Sequence, residues 1–180
     1  MRLETERLVL REFVEGDWAA LYAFESLEVV TRFEVYDPHT EVVSREYVAK
    51  TIASAAESPR SVIDLAITLR GDDTLIGHIG MKRSGHELGI GEVWYGIAPE
   101  HQRRGFVTEA ARAFFTHAFT ELGIHRLFGD CDPRNIPSAR LMERLGMRRE
   151  GHHVQNLWVK GEWCDSLIYA MLASEWNPSR

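Results

Sequence analysis

Cysteine is scarce in this chain, and the pattern of the few that occur excludes a structural metal site. The sequence holds two cysteines, Cys131 and Cys164, which lie far apart and form no C-x-x-C pair. A structural zinc site needs more ligands than that spacing offers. We therefore predict two reduced thiols, as in a reducing compartment, and no bound metal.

Long apolar segments are absent as well. Hydrophobic residues make up 44% of the sequence, yet no run approaches the roughly 18 to 20 apolar residues of a membrane-spanning helix. The first residues, Met1 to Arg7, are polar and charged, whereas a secretory signal contains an apolar core. We predict a cytoplasmic protein without a membrane partner.

Positive charge is in deficit. Lys and Arg together number 21 against 27 Asp and Glu, which gives a formal net charge of −6. Nucleic-acid binding depends on basic side chains that neutralise phosphates, so we predict no nucleic-acid partner. A negative field raises the local concentration of cations, among them amines, although net charge alone does not select amines as substrates.

No linker, repeat or low-complexity tract divides the chain, and its length suits one domain, which we expect to span residues 1–180. Hydrophobic periodicity predicts the element order β-αα-βββ-α-β-α-ββ. The strand-helix-strand order in the second half predicts one parallel pair of strands inside a mixed sheet. The predicted strands lie near residues 8–11, 63–69, 75–81, 92–97, 126–131, 147–154 and 166–172, with a glycine-containing connection over 84–91.

Four helices are predicted, and the clearest spans about residues 105–122, where apolar residues recur at helical spacing. A short helix is expected over residues 137–145. Asp17 is expected to cap the first helix, with Trp18, Leu21 and Tyr22 facing inward. The second helix is predicted to begin at Ser44 and to end before Pro59, and its inner face is predicted to carry Val48, Ile52 and Ala55 or Ala56.

The segment from Ile97 to Glu109 carries the chemistry. A strand ends at Ile97, a proline-containing turn follows, and the strongest helix begins near Gly105. The first N–H groups of a helix have no internal partners, and the helix dipole makes that end positive, so the turn forms a cradle for a diphosphate. Gly105 lets backbone approach a ligand, and Arg103 and Arg104 add positive charge. A solvated basic helix start is the alternative, while P-loop and dinucleotide-binding glycine motifs are absent.

Within this segment, Gln102-Arg103-Arg104-Gly105-Phe106-Val107 resembles the Q/R-x-x-G-x-G/A signature of the GNAT acetyltransferase superfamily. Val107 stands where that signature has Gly or Ala, and its branched side chain is bulkier. Three other segments resemble the RimJ/RimL-like branch of the superfamily. They are the opening T-E-R-L-V-L-R at residues 5–11, the block from Asn135 and Ser138 to Gly146-Met147, and the tail around Trp163, Asp165 and Tyr169.

The resemblance implies an α+β fold with a mixed, largely antiparallel sheet of about seven strands, splayed in the middle and flanked by four helices. It implies acetyl-coenzyme A as co-substrate, with the pantetheine arm in the splayed gap and backbone N–H groups near Ile97 as oxyanion donors. Asn135 is expected to bond the pantetheine or to cap its helix. The remaining cofactor-binding residues implied are Gln102, Arg103, Arg104, Gly105, Phe106, Val107 and Thr108.

Two catalytic residues are predicted. Glu92 is expected to act as general base through water, and a solvated strand-end carboxylate is the alternative. Ser138 matches the family serine that protonates or stabilises the leaving thiolate, and the alternative is a first-turn residue that bonds backbone.

The implied activity is N-acetyltransfer to a primary amine, preferably the α-amine of a protein or peptide, by direct attack on the thioester. An α-amine has a pKa of about 7.7 to 8.0, against about 10.4 for lysine, so a weak base suffices. A small amine such as a polyamine or an antibiotic is an alternative acceptor, and a non-catalytic acyl-coenzyme A-binding module is an alternative function. Exposed edge strands permit a homodimer.

Overall fold

A computed structural model describes residues 1–84 and 89–178. Within them an eight-stranded sheet is flanked by five α-helices, and no helix there is long and apolar enough to cross a membrane. The strands are β1 Arg2–Glu4, β2 Leu8–Arg11, β3 Val62–Leu69, β4 Asp72–Ser84, β5 Ile90–Ile97, β6 Arg126–Cys131, β7 Arg148–Val159 and β8 Glu162–Leu172. The helices are α1 Trp18–Glu25, α2 Glu28–Thr31, α3 Glu41–Ala55, α4 Phe106–Thr120 and α5 Ile136–Arg144.

The sheet has the strand order β1-β2-β3-β4-β5-β6-β8-β7, and every neighbouring pair is antiparallel except β5 with β6. This confirms the predicted α+β fold and its single parallel pair. The sheet has one strand more than predicted, because β1 pairs with β2 along the edge. The short helix α2 likewise raises the number of helices from four to five. Part of the predicted connection over 84–91, residues 85–88, lies outside the described residues.

The parallel pair β5–β6 comes apart in the middle of the sheet. Pairing covers only Ile90 to Glu92 on β5 and Arg126 to Phe128 on β6. Beyond that point β5 continues to Ile97 and β6 to Cys131, each still paired with its outer neighbour. The predicted splay is therefore confirmed, and it leaves one edge of β5 open.

The two faces of the sheet bury different apolar clusters. The main core lies under α4 and α5, and the predicted stripe of α4 supplies the fully buried Phe114 and Phe115. A smaller cluster lies under α1 and α3, with Phe13, Leu21 and Val48. Burial of the α4 stripe follows from its helical spacing, because residues three and four apart share one face.

The structure corrects the prediction for α1. Asp17 does not cap the helix with its side chain. Its carboxylate instead accepts two hydrogen bonds from Arg11, at 2.7 and 2.9 Å, and one from the Val14 N–H at 2.8 Å. A buried guanidinium is a stronger partner for this carboxylate than a solvated helix end. Tyr22 points to solvent, and Phe24 takes the inward position beside Leu21.

The prediction for α3 was wrong in its start and partly wrong in its face. The helix begins at Glu41, because the Thr40 side chain accepts a hydrogen bond from the Val43 N–H at 3.2 Å and caps it. Val48 is buried as predicted, whereas Ile52 is exposed. The inner face is mostly polar, and its other buried residues are Ser44, Thr51 and Ser54.

We expect Arg11→Ala to lower the free energy of unfolding by about 3 to 5 kcal/mol, because it leaves the Asp17 carboxylate buried without its partner. The side chains of this pair are 10% and 5% exposed. The matched control is Arg2→Ala, which removes the exposed ion pair with Glu4 and should cost less than about 1 kcal/mol. Urea denaturation measures both, and equal losses would contradict a stabilising role for the buried pair.

Candidate active site

The open edge of β5 is the first element of the site. Residues Val93 to Ile97 are paired with β4 on one side and have no strand partner in the described residues on the other. A strand edge of this kind presents a row of unpaired backbone N–H and C=O groups. Such a row can hydrogen-bond an extended, amide-containing ligand laid in the gap between β5 and β6.

A cleft of about 240 Å³ lies along this edge. Its walls come from β5, from the end of β6 and the start of α5, from the loop after α2, and from the β7–β8 hairpin. The two predicted catalytic residues, Glu92 and Ser138, both line it, and so does Asn135. Residues from distant parts of the sequence are thus brought together at one place in the fold.

Alternation along β5 sends its side chains to opposite faces. Val93 belongs to the main core, and Tyr95 packs against that core on the same face. On the other face, Glu92 is exposed at the cleft. The ring of Trp94 packs against Gly80, and a Cβ added at Gly80 would come within 2.6 Å of that ring. The buried Trp94 Nε1 has no hydrogen-bond acceptor in the part of the chain that the structure describes.

Ser138 is held by a hydrogen bond to Tyr95. The two hydroxyl oxygens are 2.8 Å apart, and either can donate. Burial raises the pKa of Tyr95 well above its ordinary value, so its hydroxyl keeps its proton at neutral pH. The sequence interpretation missed Tyr95, although the alternation of β5 places it on the same face as Val93, toward α5.

Asn135 and Cys131 lie beside this pair. The Asn135 side chain accepts a hydrogen bond from the Ser138 N–H at 3.3 Å and caps α5, the second of the two roles expected for it. Burial raises the pKa of the Cys131 thiol to about 11. Cys131 therefore remains a protonated thiol at neutral pH and is a poor nucleophile.

The predicted anion-binding turn follows β5 directly. Gly105 adopts a left-handed conformation with φ of 79°, and Arg103 also has a positive φ of 59°. The conformation at Gly105 favours glycine, because a Cβ would be strained there. No side chain caps α4 at this residue. The first N–H groups of the helix, from Phe106 to Thr108, are therefore left for a ligand.

The N-terminal segment braces this turn. Arg7 donates to the Glu109 carboxylate at 2.6 Å and to the Arg104 carbonyl oxygen at 3.1 Å. Arg104 in turn lies 4.8 Å from the centre of the Phe106 ring. The adjoining hollow is lined by Glu6 and by two cations, Arg112 and Arg144, the latter donating to Thr108 at 3.3 Å.

A half-buried carboxylate, Glu34, also lines the cleft. Burial, and then the charge of Glu25, raise the pKa of Glu34 above its ordinary value. The sequence interpretation missed this residue, which lies between the segments predicted as the first two helices. No sequence motif marks it, and only the fold brings it to the cleft.

Behind β5 lies a buried charged network centred on His78. Its Nδ1 is 3.3 Å from Asp64, and its Nε2 is 3.6 Å from Glu25. Burial opposes protonation of His78, yet Asp64 and Glu25 outweigh it and raise its pKa to about 10. Tyr36 donates to Glu25 at 3.1 Å. An added Cβ at Gly96 would come within 2.9 Å of the His78 ring, so this network ties the loop after α2 to the open strand.

Comparison with known proteins assigns the family. Residues 7–148 match the family model described as an acetyltransferase (GNAT) domain. The N-acetyltransferase YnaD of Bacillus subtilis is 36% identical over 98% of this chain and 100% of its own. A crystal structure of a GNAT-family acetyltransferase from Bacillus anthracis superposes with a TM-score of 0.87 at 31% identity, covering 97% of this chain and 100% of that one.

Two relatives with named acceptors match over about half of the chain. The ribosomal protein uS5-alanine N-acetyltransferase of Escherichia coli is 31% identical over 48% of this chain and 44% of its own. The spermidine N(1)-acetyltransferase of Vibrio cholerae is 30% identical over 44% of this chain and 46% of its own. The family match, the near-full-length relatives and the splayed sheet agree: the chain belongs to the GNAT acetyltransferase family and is an N-acetyltransferase.

Proposed function

We propose that this protein transfers the acetyl group of acetyl-coenzyme A to a primary amine, with the α-amine of a protein or peptide as the leading acceptor. The observation that carries the proposal is the open edge of β5, which runs directly into the uncapped N-terminus of α4. An open strand suits the amide-containing pantetheine arm, and the helix start suits its diphosphate.

The residues of the turn fit this co-substrate. Backbone N–H groups from Arg103 to Thr108, with Gly105 in its left-handed conformation, would hold the diphosphate, and Arg103 and Arg104 would add charge. The predicted donor Gln102 is not among them, because its N–H donates to the Pro99 carbonyl oxygen at 3.1 Å. Val107 departs from the family signature, but its side chain is partly buried against the main core. Its N–H therefore stays available to the ligand, which supports cofactor binding despite the bulkier residue.

The site supplies groups for each step of direct transfer. Backbone N–H groups at the end of the open edge, near Ile97, would stabilise the oxyanion, as preorganised donors do. Tyr95 and Ser138 would deliver a proton to the leaving thiolate, since burial keeps the Tyr95 hydroxyl protonated. Glu92 is exposed at the cleft, and its role as a general base that acts through water stays a prediction.

A small polyamine is the second candidate acceptor, and the charge of the cleft favours it. Among residues 1–84 and 89–178, six carboxylates line the cleft, against the three cations Arg32, Arg134 and Lys160. Arg134 is already engaged with Asp132 and Glu162. The excess of negative charge suits an acceptor with more than one ammonium group.

Titration calorimetry with acetyl-coenzyme A tests the cofactor half of the proposal. We expect saturable binding, and we expect Gly105→Ala to weaken it about tenfold, because a left-handed alanine costs about 1 to 2 kcal/mol. Gly16→Ala is the matched control, since Gly16 has no positive φ and an added Cβ meets nothing within 4 Å. Absence of saturable binding by the wild type would contradict the proposal.

Release of free thiol over a panel of amines tests the acceptor. We expect turnover with peptides that carry a free N-terminus, and less turnover with N-terminally blocked lysine peptides, because the α-amine is more often neutral at pH 7. Preference for spermidine or spermine would support the second candidate. Tight cofactor binding without turnover of any amine would favour a non-catalytic binding module.

Ser138→Ala and Tyr95→Phe should each lower kcat about 100-fold, with the KM for acetyl-coenzyme A changed by less than about twofold. The double variant should be about as slow as either single one, because the two hydroxyls act as a unit. Ser61→Ala, at a serine that does not line the cleft, is the control. Steady-state kinetics measure kcat for all the variants. If the loss of kcat in the double variant equals the product of the two single losses, the two hydroxyls act separately.

A further inference from the structure

Glu34 and Glu92 are the carboxylates of the cleft for which no hydrogen bond or ion pair occurs among the described residues, and Glu34 differs from the exposed Glu92 in being half-buried. Asp132 and Glu162 bind Arg134, and Asp165 accepts hydrogen bonds from His152 at 2.7 Å and from the Gln155 N–H at 2.8 Å. The Glu34 carboxylate makes no hydrogen bond or ion pair with any of the residues that the structure describes. A half-buried carboxylate in this condition suits a cationic ligand, because burying a charge without a partner is costly.

The backbone around Glu34 is held in place from two sides. Its N–H donates to the Thr31 carbonyl oxygen at 2.9 Å, which closes the turn after α2. The same oxygen accepts a hydrogen bond from Lys160 Nζ at 2.6 Å, so the β7–β8 turn is bonded to this loop. Beside it, Phe33 lies near the guanidinium groups of Arg32, at 5.1 Å, and Arg134, at 5.8 Å. The carboxylate thus projects from a fixed segment.

The charges that face Glu34 come from every element around it. Burial raises the pKa of Glu34, and the negative charges of Glu25 on α1 and Asp130 on β6 raise it further. The positive charges of His78 on β4 and Lys160 on the β7–β8 turn lower it. Arg32 and Glu92 line the same cleft. The net result is a pKa above the ordinary value for glutamate, and a carboxylate with a raised pKa is a stronger proton acceptor.

We propose that Glu34 binds the ammonium group of the acceptor and accepts a proton from it, and so serves as the general base of the transfer in place of the exposed Glu92. This assignment rests on the proposed function. As the nitrogen forms its bond to the acetyl carbon, the carbon–sulfur bond breaks. The ammonium nitrogen loses two protons in the process. Glu34 takes the first of them and releases it to solvent after turnover. The Ser138–Tyr95 pair gives a proton to the coenzyme A sulfur, and the second proton lost by the nitrogen restores that pair, so that one proton is released for each acetyl group transferred.

The test compares Glu34→Gln with Glu34→Asp, with Glu28→Gln on the exposed start of α2, and with Glu92→Gln. We expect Glu34→Gln to lower kcat about 100-fold, which is the lower range for a general base, and Glu34→Asp to restore part of that loss. Glu28→Gln should match the wild type. An unchanged dissociation constant for acetyl-coenzyme A, measured by calorimetry, shows that each variant is folded.

The pH profile distinguishes a base from a merely structural residue. A protonated carboxyl cannot accept a proton, so kcat of the wild type at saturating amine should fall as the pH drops through the raised pKa of Glu34. Glu34→Gln should lose this acidic limb. Retention of the limb and of the rate in Glu34→Gln, or loss of the limb in Glu92→Gln alone, would overturn the role of Glu34 and leave the transferase intact. A wild type that acetylates no amine would instead overturn the proposed function, and the role of Glu34 with it.

Discussion

The loss of pairing between β5 and β6 is the feature on which the site depends. Three residues on each strand pair, and then the strands diverge while each remains bonded to its outer neighbour. Because the outer pairings hold, the divergence exposes backbone groups without weakening the rest of the sheet. A fixed row of backbone donors and acceptors results in the middle of the fold, where side chains of either face can reach a bound thioester.

The elements around the gap have separate tasks. On one face, Tyr95 and Ser138 form a protonated hydroxyl pair. On the other face, the His78 network ties the strand to the loop that carries Glu34. At the end of the strand, the uncapped start of α4 supplies positive potential, and Arg7 and Glu109 fix that turn to the first strands. The buried Arg11–Asp17 pair fixes the base of α1 to the sheet in the same manner.

Local patterns in the sequence predicted much of this arrangement. The strands, the α4 helix and the turn at Gly105 follow from periodicity and from the demands of a helix start, and the structure places them as expected. The errors arose where distant residues decide the outcome. Asp17 turns to Arg11 instead of capping, and α3 buries polar residues on its inner face, which apolar periodicity cannot indicate. Glu34 enters the site only through tertiary packing, and the alternation of β5 gives the face of Tyr95 without indicating its partner Ser138.

Hydrogen–deuterium exchange of the β5 amides measures whether the open edge of this strand is occupied when the co-substrate binds. If the open edge holds the pantetheine arm, saturating acetyl-coenzyme A should slow exchange at residues 93–97 and at the start of α4, while the far edge strand β1 should keep its rate. Protection confined to other parts of the chain, with residues 93–97 exchanging as in the free protein, would mean that the pantetheine arm does not lie along β5.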